Sequence, residues 1–169
     1  MATVELNSQR HFVAFDRALL AASHAEDAWR ALQDLTASAV GFRLFTVMTV
    51  DLANGLARRA FTSHPSQYPV SGTKPIRRDA WFDIVDGKQQ LFVANTISGI
   101  ARVFPDHEKI WSMGCGSVVN LPVVIGGILT ATINMLHREH YYSRERVDTI
   151  ARQLTEPAQR AFIAADALI

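Results

Sequence analysis

The chain has 169 residues, 49% of them apolar and 20% charged, which suits one folded domain with a core that needs neither disulfides nor metal and excludes a disordered or fibrous chain. Its 17 basic and 16 acidic residues leave a formal net charge of +1, too weak a field to make nucleic acid or an anionic bilayer a partner. One cysteine, Cys115, rules out an internal disulfide, and no basic stretch followed by an apolar run and cleavage site opens the chain, so a cytoplasmic location is expected.

Phe12, Phe15, Leu19 and Leu20 recur at helical spacing behind Asn7 or Ser8, predicting a first amphipathic helix over residues 8–22 capped by one of those two side chains. Ser23 and Glu26 read as a reciprocal capping pair for a second helix, whose stripe is Ala28, Trp29, Leu32, Leu35 and Ala39 and whose stop is Gly41. Phe42 to Val50 and Leu56 to Ser63 are rich in branched and aromatic residues around Asn54-Gly55. A hairpin is expected there, and a two-residue loop would set Asp51 opposite Arg58. The pairs Arg58-Arg59 and Arg77-Arg78 read as solvated surface.

Prolines, serines and glycine break periodicity from His64 to Lys74, marking a long connection that Tyr68, Val70 and Ile76 should hold against the body. Asp79 caps a short helix bearing Ala80, Trp81, Ile84 and Val85; Leu91 to Ala94 is a short strand; Ser98 to Arg102 is a helical turn; Pro105 opens a helix through Trp111 and Met113 that stops at Gly114.

Residues 118–136 approach the length of a membrane span, but Asn120, Pro122, Gly126, Gly127, Thr130, Thr132 and Asn134 interrupt them, so they read as two strands on a glycine turn and not as a transmembrane helix. With a three-residue turn, Ile125 to Gly127, Val118, Asn120 and Pro122 share a face with Thr130, Thr132 and Asn134. Val119, Leu121, Val123, Leu129, Ala131, Ile133 and Met135 then share the other, apolar face, whereas a two-residue turn would mix the two sets. Ser143 caps a final helix to Leu168, in which Pro157 is expected to force a kink or break near Thr155 and Glu156.

The element order, with Ser117-Val118-Val119-Asn120-Leu121-Pro122-Val123, the Gly126-Gly127 turn, the apolar run Ile128 to Leu136 and Tyr142-Ser143-Arg144-Glu145 at a helix start, resembles the GAF family of small-molecule-binding sensory domains. Tyr68-Pro69-Val70-Ser71-Gly72-Thr73-Lys74-Pro75, Phe104-Pro105-Asp106-His107 and Gly114-Cys115-Gly116-Ser117 are similar to runs shared by stand-alone bacterial members. The resemblance covers roughly residues 25–165 and implies a GAF/PAS-like α+β fold, and the chain is read as one such domain over residues 1–169. It has a sheet of about six antiparallel strands, the terminal helices on one face, and a pocket under loops and short helices on the other. The cyclic-nucleotide signature of the family is not matched, and Cys115 at a strand entrance is not where bilin-binding members attach their tetrapyrrole.

Toward such a pocket, Asn120, Thr132 and Asn134 would turn from the sheet, Tyr68, Trp81, Phe104 and Trp111 would supply aromatic wall, and Lys74 would meet a ligand anion. With His107, which follows Asp106 at a helix start, the candidate ligand contacts are Tyr68, Lys74, Trp81, Phe104, His107, Asn120, Thr132 and Asn134. The expected function is a non-enzymatic sensory module for a small ligand of open identity, signalling through a separate effector, with no cofactor specified. One alternative is a thiol reductase resembling the GAF-type free methionine sulfoxide reductases, with Cys115 as nucleophile. It needs a lowered thiol pKa and a resolving thiol that the sequence does not supply. A second alternative is a ligand-free interaction module. The alanines 151, 158, 161 and 165 suggest a homodimer built on the terminal helices 8–22 and 143–168. His137, Glu139 and His140 lack metal-ligand spacing, and no catalytic triad, phosphate loop or dinucleotide fingerprint is present.

Overall fold

The computed structural model describes residues 2–169, with side chains from residue 9 onward. Strands β5 (Ser117–Ile125) and β6 (Ile128–His137) form its middle. Strand β1 (Leu44–Asp51) pairs with the outer side of β6, followed by β2 (Leu56–Thr62) and the two-residue β3 (Lys74–Pro75), while β4 (Phe92–Ala94) borders β5. The result is a six-stranded antiparallel sheet in the order β3-β2-β1-β6-β5-β4. The expected α+β architecture is present.

One face carries α1 (Ala2–Ala21), α2 (Ala25–Ala39) and α6 (Arg144–Asp166). Trp29, Leu32 and Leu35 of α2 meet Ile150, Leu154, Ala158 and Ala161 of α6 and the inward residues Val119, Leu121, Val123, Ala131, Ile133 and Met135 of the central strands. This is the main core, and its alternation is why the sheet residues sort as they do. Helix α1 is already under way at Asn7 and Ser8, so neither caps it; their side chains lie outside the described residues. At α2 the reciprocal cap is one residue later than expected. The Asp27 carboxylate accepts the backbone N–H groups of Ser23 at 3.0 Å and His24 at 2.9 Å, and Glu26 instead pairs with Arg30. Ala158, Ala161 and Ala165 are buried in the chain's own core, which removes them as a dimer surface. Pro157 does not break α6, which runs unbroken over 23 residues. The proline is itself buried between Leu154 and Ala158, and burial of that face outweighs one missing amide bond.

Both hairpins differ from the expected registers. Asp51 lies opposite Leu56, not Arg58, because the first loop has four residues; Asp51 closes it by accepting from the Asn54 backbone N–H at 3.0 Å and its side-chain amide at 2.8 Å. In the second, Ile125 pairs with Ile128 across a two-residue turn whose Gly126 and Gly127 have φ of 58° and 80°, the positive pair that a tight hairpin needs. Such a turn should have mixed the faces. It does not, because a bulge at Thr130 follows: Val124 opposes Leu129, and Val123 opposes Ala131. The extra residue restores the pairing of Pro122 with Thr132 and Asn120 with Asn134. Only Leu129 and Thr130 exchange expected sides, Leu129 joining Phe82 and Val85 on the cover side and Thr130 turning toward Phe162 and Ala165.

The cover comprises the long connection, α3 (Ala80–Phe82) with a π-helical turn at Asp83–Gly87, α4 (Ile97–Ala101) and α5 (His107–Ser112). Asp79 caps α3 through the Phe82 N–H at 3.1 Å. Tyr68 and Ile76 pack inward as expected, whereas Val70 is exposed.

Candidate functional site

Between the sheet and this cover lies a cavity of about 310 Å³, at the low end of the roughly 300–1,000 Å³ usual for ligand pockets. Two apolar clusters flank it. One gathers Ile100, Ile110, Val118 and Leu136 with Phe104 and Tyr68; the other gathers Phe82, Val85 and Leu129 with Trp81.

Across its floor runs a row of neutral polar groups set by strand register, since Asn120 of β5 faces Asn134 of β6, and Asn134 faces Thr46 of β1. The Trp81 indole Nε1–H donates to Asn120 Oδ1 at 2.9 Å, Asn120 Nδ2 donates to Asn134 Oδ1 at 2.7 Å, and Asn134 Nδ2 donates to Thr46 Oγ1 at 3.1 Å. Asn120 is only 2% exposed, so these bonds offset the cost of burying its amide. Each amide nitrogen carries a second hydrogen and each oxygen a second lone pair, leaving donors and acceptors for a ligand.

One wall is fastened by Arg59. Its guanidinium stacks 3.6 Å from the centroid of the Tyr68 ring, donates to the Pro69 carbonyl at 2.7 Å and lies 3.8 Å from the Asp106 carboxylate, to which the Tyr68 hydroxyl also donates. Burial, aided by that carboxylate, pushes the Tyr68 phenol well above its ordinary range. The long connection is thereby tied to the start of α5. Lys74 and Arg77 line the same cavity, are exposed, and form no ion pair among the described residues.

Of the eight expected contacts, Tyr68, Lys74, Trp81, Phe104, Asn120 and Asn134 line this one cavity. Thr132 and His107 are not on its wall: Thr132 is fully buried between Pro122 and Met48, and the His107 ring nitrogen Nδ1 binds the Phe104 carbonyl at 3.0 Å. Trp111 is 54% exposed and also lies off the wall. Sequence reasoning missed Arg59, Asp106 and Thr46. Thr46 had a signal, its strand alternation, whereas the Arg59–Asp106 contact joins residues far apart in the chain.

Cys115 lies inside the cluster around Ile100 and off the cavity wall, and burial pushes its thiol up to about 11, which disfavours the thiolate. No three His, Cys, Asp or Glu residues are grouped to hold a metal among the described residues. His137 stacks on Tyr141 with centroids 3.5 Å apart and planes 5° from parallel. Burial, then the charges of Arg43, Arg138 and Arg146, depress its pKa from 6.5 to about 4. The unfolded chain takes up this proton near pH 6.5 and the folded one near pH 4, so stability is lost as pH falls between those values and is unaffected above them. His137→Phe keeps the stacked ring and should flatten that dependence by on the order of 1 kcal/mol, discounted for solvent screening. Urea midpoints at pH 7 and pH 4.5 check this, and an equal drop in both proteins would refute it.

A sheet with terminal helices on one face and a covered cavity on the other defines a two-sided α+β domain. Comparison with solved structures makes this specific. The GAF domain of a two-component sensor histidine kinase from Bacillus halodurans superposes with a TM-score of 0.69 at 10% identity, covering 86% of this chain and 98% of that one. The GAF domain of a phosphoenolpyruvate-protein phosphotransferase from Coxiella burnetii gives 0.66 at 14% identity, covering 97% and 98%. Free methionine-R-sulfoxide reductase from Neisseria meningitidis, in complex with its substrate, gives 0.63 at 13%, covering 92% and 87%. The chain has the GAF fold. No family model matches it, and no curated protein matches it. No helix among the described residues is long and apolar enough to cross a membrane.

Proposed function

We propose that this protein is a sensory or regulatory module that binds a small molecule in the cavity beneath Trp81 and Phe104, without catalysis of its own. The observation that carries the reading is the neutral polar row Asn120–Asn134–Thr46 on the floor of an otherwise apolar chamber. A core built for stability alone gains little from a buried amide bonded to a half-buried one, whereas a chamber that orients a ligand needs a few placed donors and acceptors. The solved neighbours named as sensor-kinase and phosphotransferase domains are consistent with regulation.

The reductase alternative loses support from the chemistry of Cys115, a thiol raised to about 11 and off the cavity wall. The module acts in the cytoplasm, as one domain over residues 1–169, and passes its signal to a separate effector. It forms a homodimer through the outer faces of α1 and α6, where Val13, Leu20 and Ile163 are exposed.

Native mass spectrometry of the protein purified under mild conditions tests both parts. The expected spectrum is a dimer carrying a small molecule that Asn120→Leu/Asn134→Leu no longer retains. A double variant that keeps the same molecule at full occupancy refutes this placement, and a monomer at tens of micromolar refutes the dimer.

A further inference from the structure

We propose that the ligand is a small aromatic carboxylate. Its ring lies against Trp81 and Phe104, its carboxylate meets Lys74 and Arg77, and an uncharged hydroxyl or carbonyl substituent meets the Asn120–Asn134–Thr46 row. The inference rests on the ligand-binding reading of this cavity.

Charge bookkeeping at the wall selects an anion. Of the two carboxylates there, Asp79 is committed to the Phe82 amide and Asp106 to Tyr68 and Arg59. Lys74 and Arg77 have no such partner among the described residues. Arg58, Arg59, Lys74 and Arg77 line the cavity against only Asp79 and Asp106, so the balance of charge at its wall is positive, and a carboxylate answers it with charge-assisted hydrogen bonds. The floor argues the other way: it holds no ionised group, and a second charge placed there would lose its hydration without an opposite charge in return. One charged end and one neutral polar end follow.

The middle of the ligand is set by the aromatic walls. Trp81 and Phe104 stand edge to face, with centroids 6.2 Å apart and planes at 69°, and the bond from Trp81 Nε1 to Asn120 fixes the indole orientation. A planar ring can add to such an arrangement at low entropic cost. A volume of about 310 Å³ suits one ring with a short side chain and is small for a nucleotide or a tetrapyrrole.

Isothermal titration at low salt tests this with para-hydroxybenzoate, para-hydroxyphenylacetate and para-hydroxyphenylpropanoate, each beside its primary amide, on the wild type and on Lys74→Gln/Arg77→Gln. At least one acid is expected to bind about tenfold more tightly than its amide, with that advantage lost in the double variant, whose melting temperature is unchanged because both side chains are exposed. Amides that bind as tightly as acids, or acids undiminished in the variant, overturn the assignment and leave the cavity a ligand site. So does a neutral or cationic molecule in the native mass spectrum with no binding from either panel. If neither panel binds and the native spectrum carries no small molecule, the ligand-binding reading falls with it.

Discussion

Asn120→Ala is expected to lower the free energy of unfolding by about 3 kcal/mol, because it strands two partners at once. The Trp81 indole N–H loses its acceptor and the Asn134 oxygen loses its donor, both under the cover. Trp81→Phe removes only the indole donor and a little volume. If the bond matters as the geometry indicates, Asn120→Ala/Trp81→Phe loses about 1 kcal/mol less than the sum of the single changes. Urea denaturation of the four proteins measures this. Strict additivity would show that the indole and the amide do not sense each other.

Thr132→Val should act in the opposite direction, raising stability by about 1–2 kcal/mol. Its hydroxyl oxygen is fully buried and finds no partner among the described residues. On one side the strand neighbour is Pro122, which has no amide hydrogen to offer, and on the other it is Met48. Valine has the same shape without the desolvated hydroxyl, so the melting temperature should rise by about 3–6 °C for a chain of this size. A decrease would mean that the hydroxyl is bonded. Ligand affinity is expected to stay unchanged, since Thr132 is off the cavity wall.

These two residues also show how far the sequence could be read. Asn120, Thr132 and Asn134 share a face on parity alone, and the structure keeps them on one face; alternation encodes the side of a sheet. What parity cannot encode is position along the face. Asn120 and Asn134 line the cavity, and so do Met48 and Leu129 to either side of Thr132, while the small Thr132 side chain stays fully buried beneath its neighbours, because packing around the chamber, not the strand, decides which residues reach it. Likewise the wall clasp joins Arg59 and Tyr68 to Asp106, 38 residues beyond Tyr68. No local period links them.

The misjudged elements have equally particular causes. Asp51 closes its own loop with side-chain bonds to Asn54, so the Asn-Gly pair ends a four-residue turn instead of forming a two-residue one. Pro157 is held in a continuous helix by the burial of Leu154, Ala158 and Ala161 around it, a tertiary effect that overrides local propensity. Glu26 and Asp27 are both acidic and adjacent, and geometry chose the second.

The bulge at Thr130 has a bearing on how this chain tolerates length change. Residues 125 and 128 pair on the tip side, and residues 123 and 131 pair on the body side; Thr130 belongs to neither ladder. Removing it would join Leu129 directly to Ala131 with both sets of partners intact and both side chains still pointing where they point now. At this hairpin, chain length and inside-outside identity are therefore uncoupled: a one-residue deletion, which elsewhere in a strand turns the remaining side chains inside out, would here cost little more than the bond from the Thr130 hydroxyl to the Val123 carbonyl.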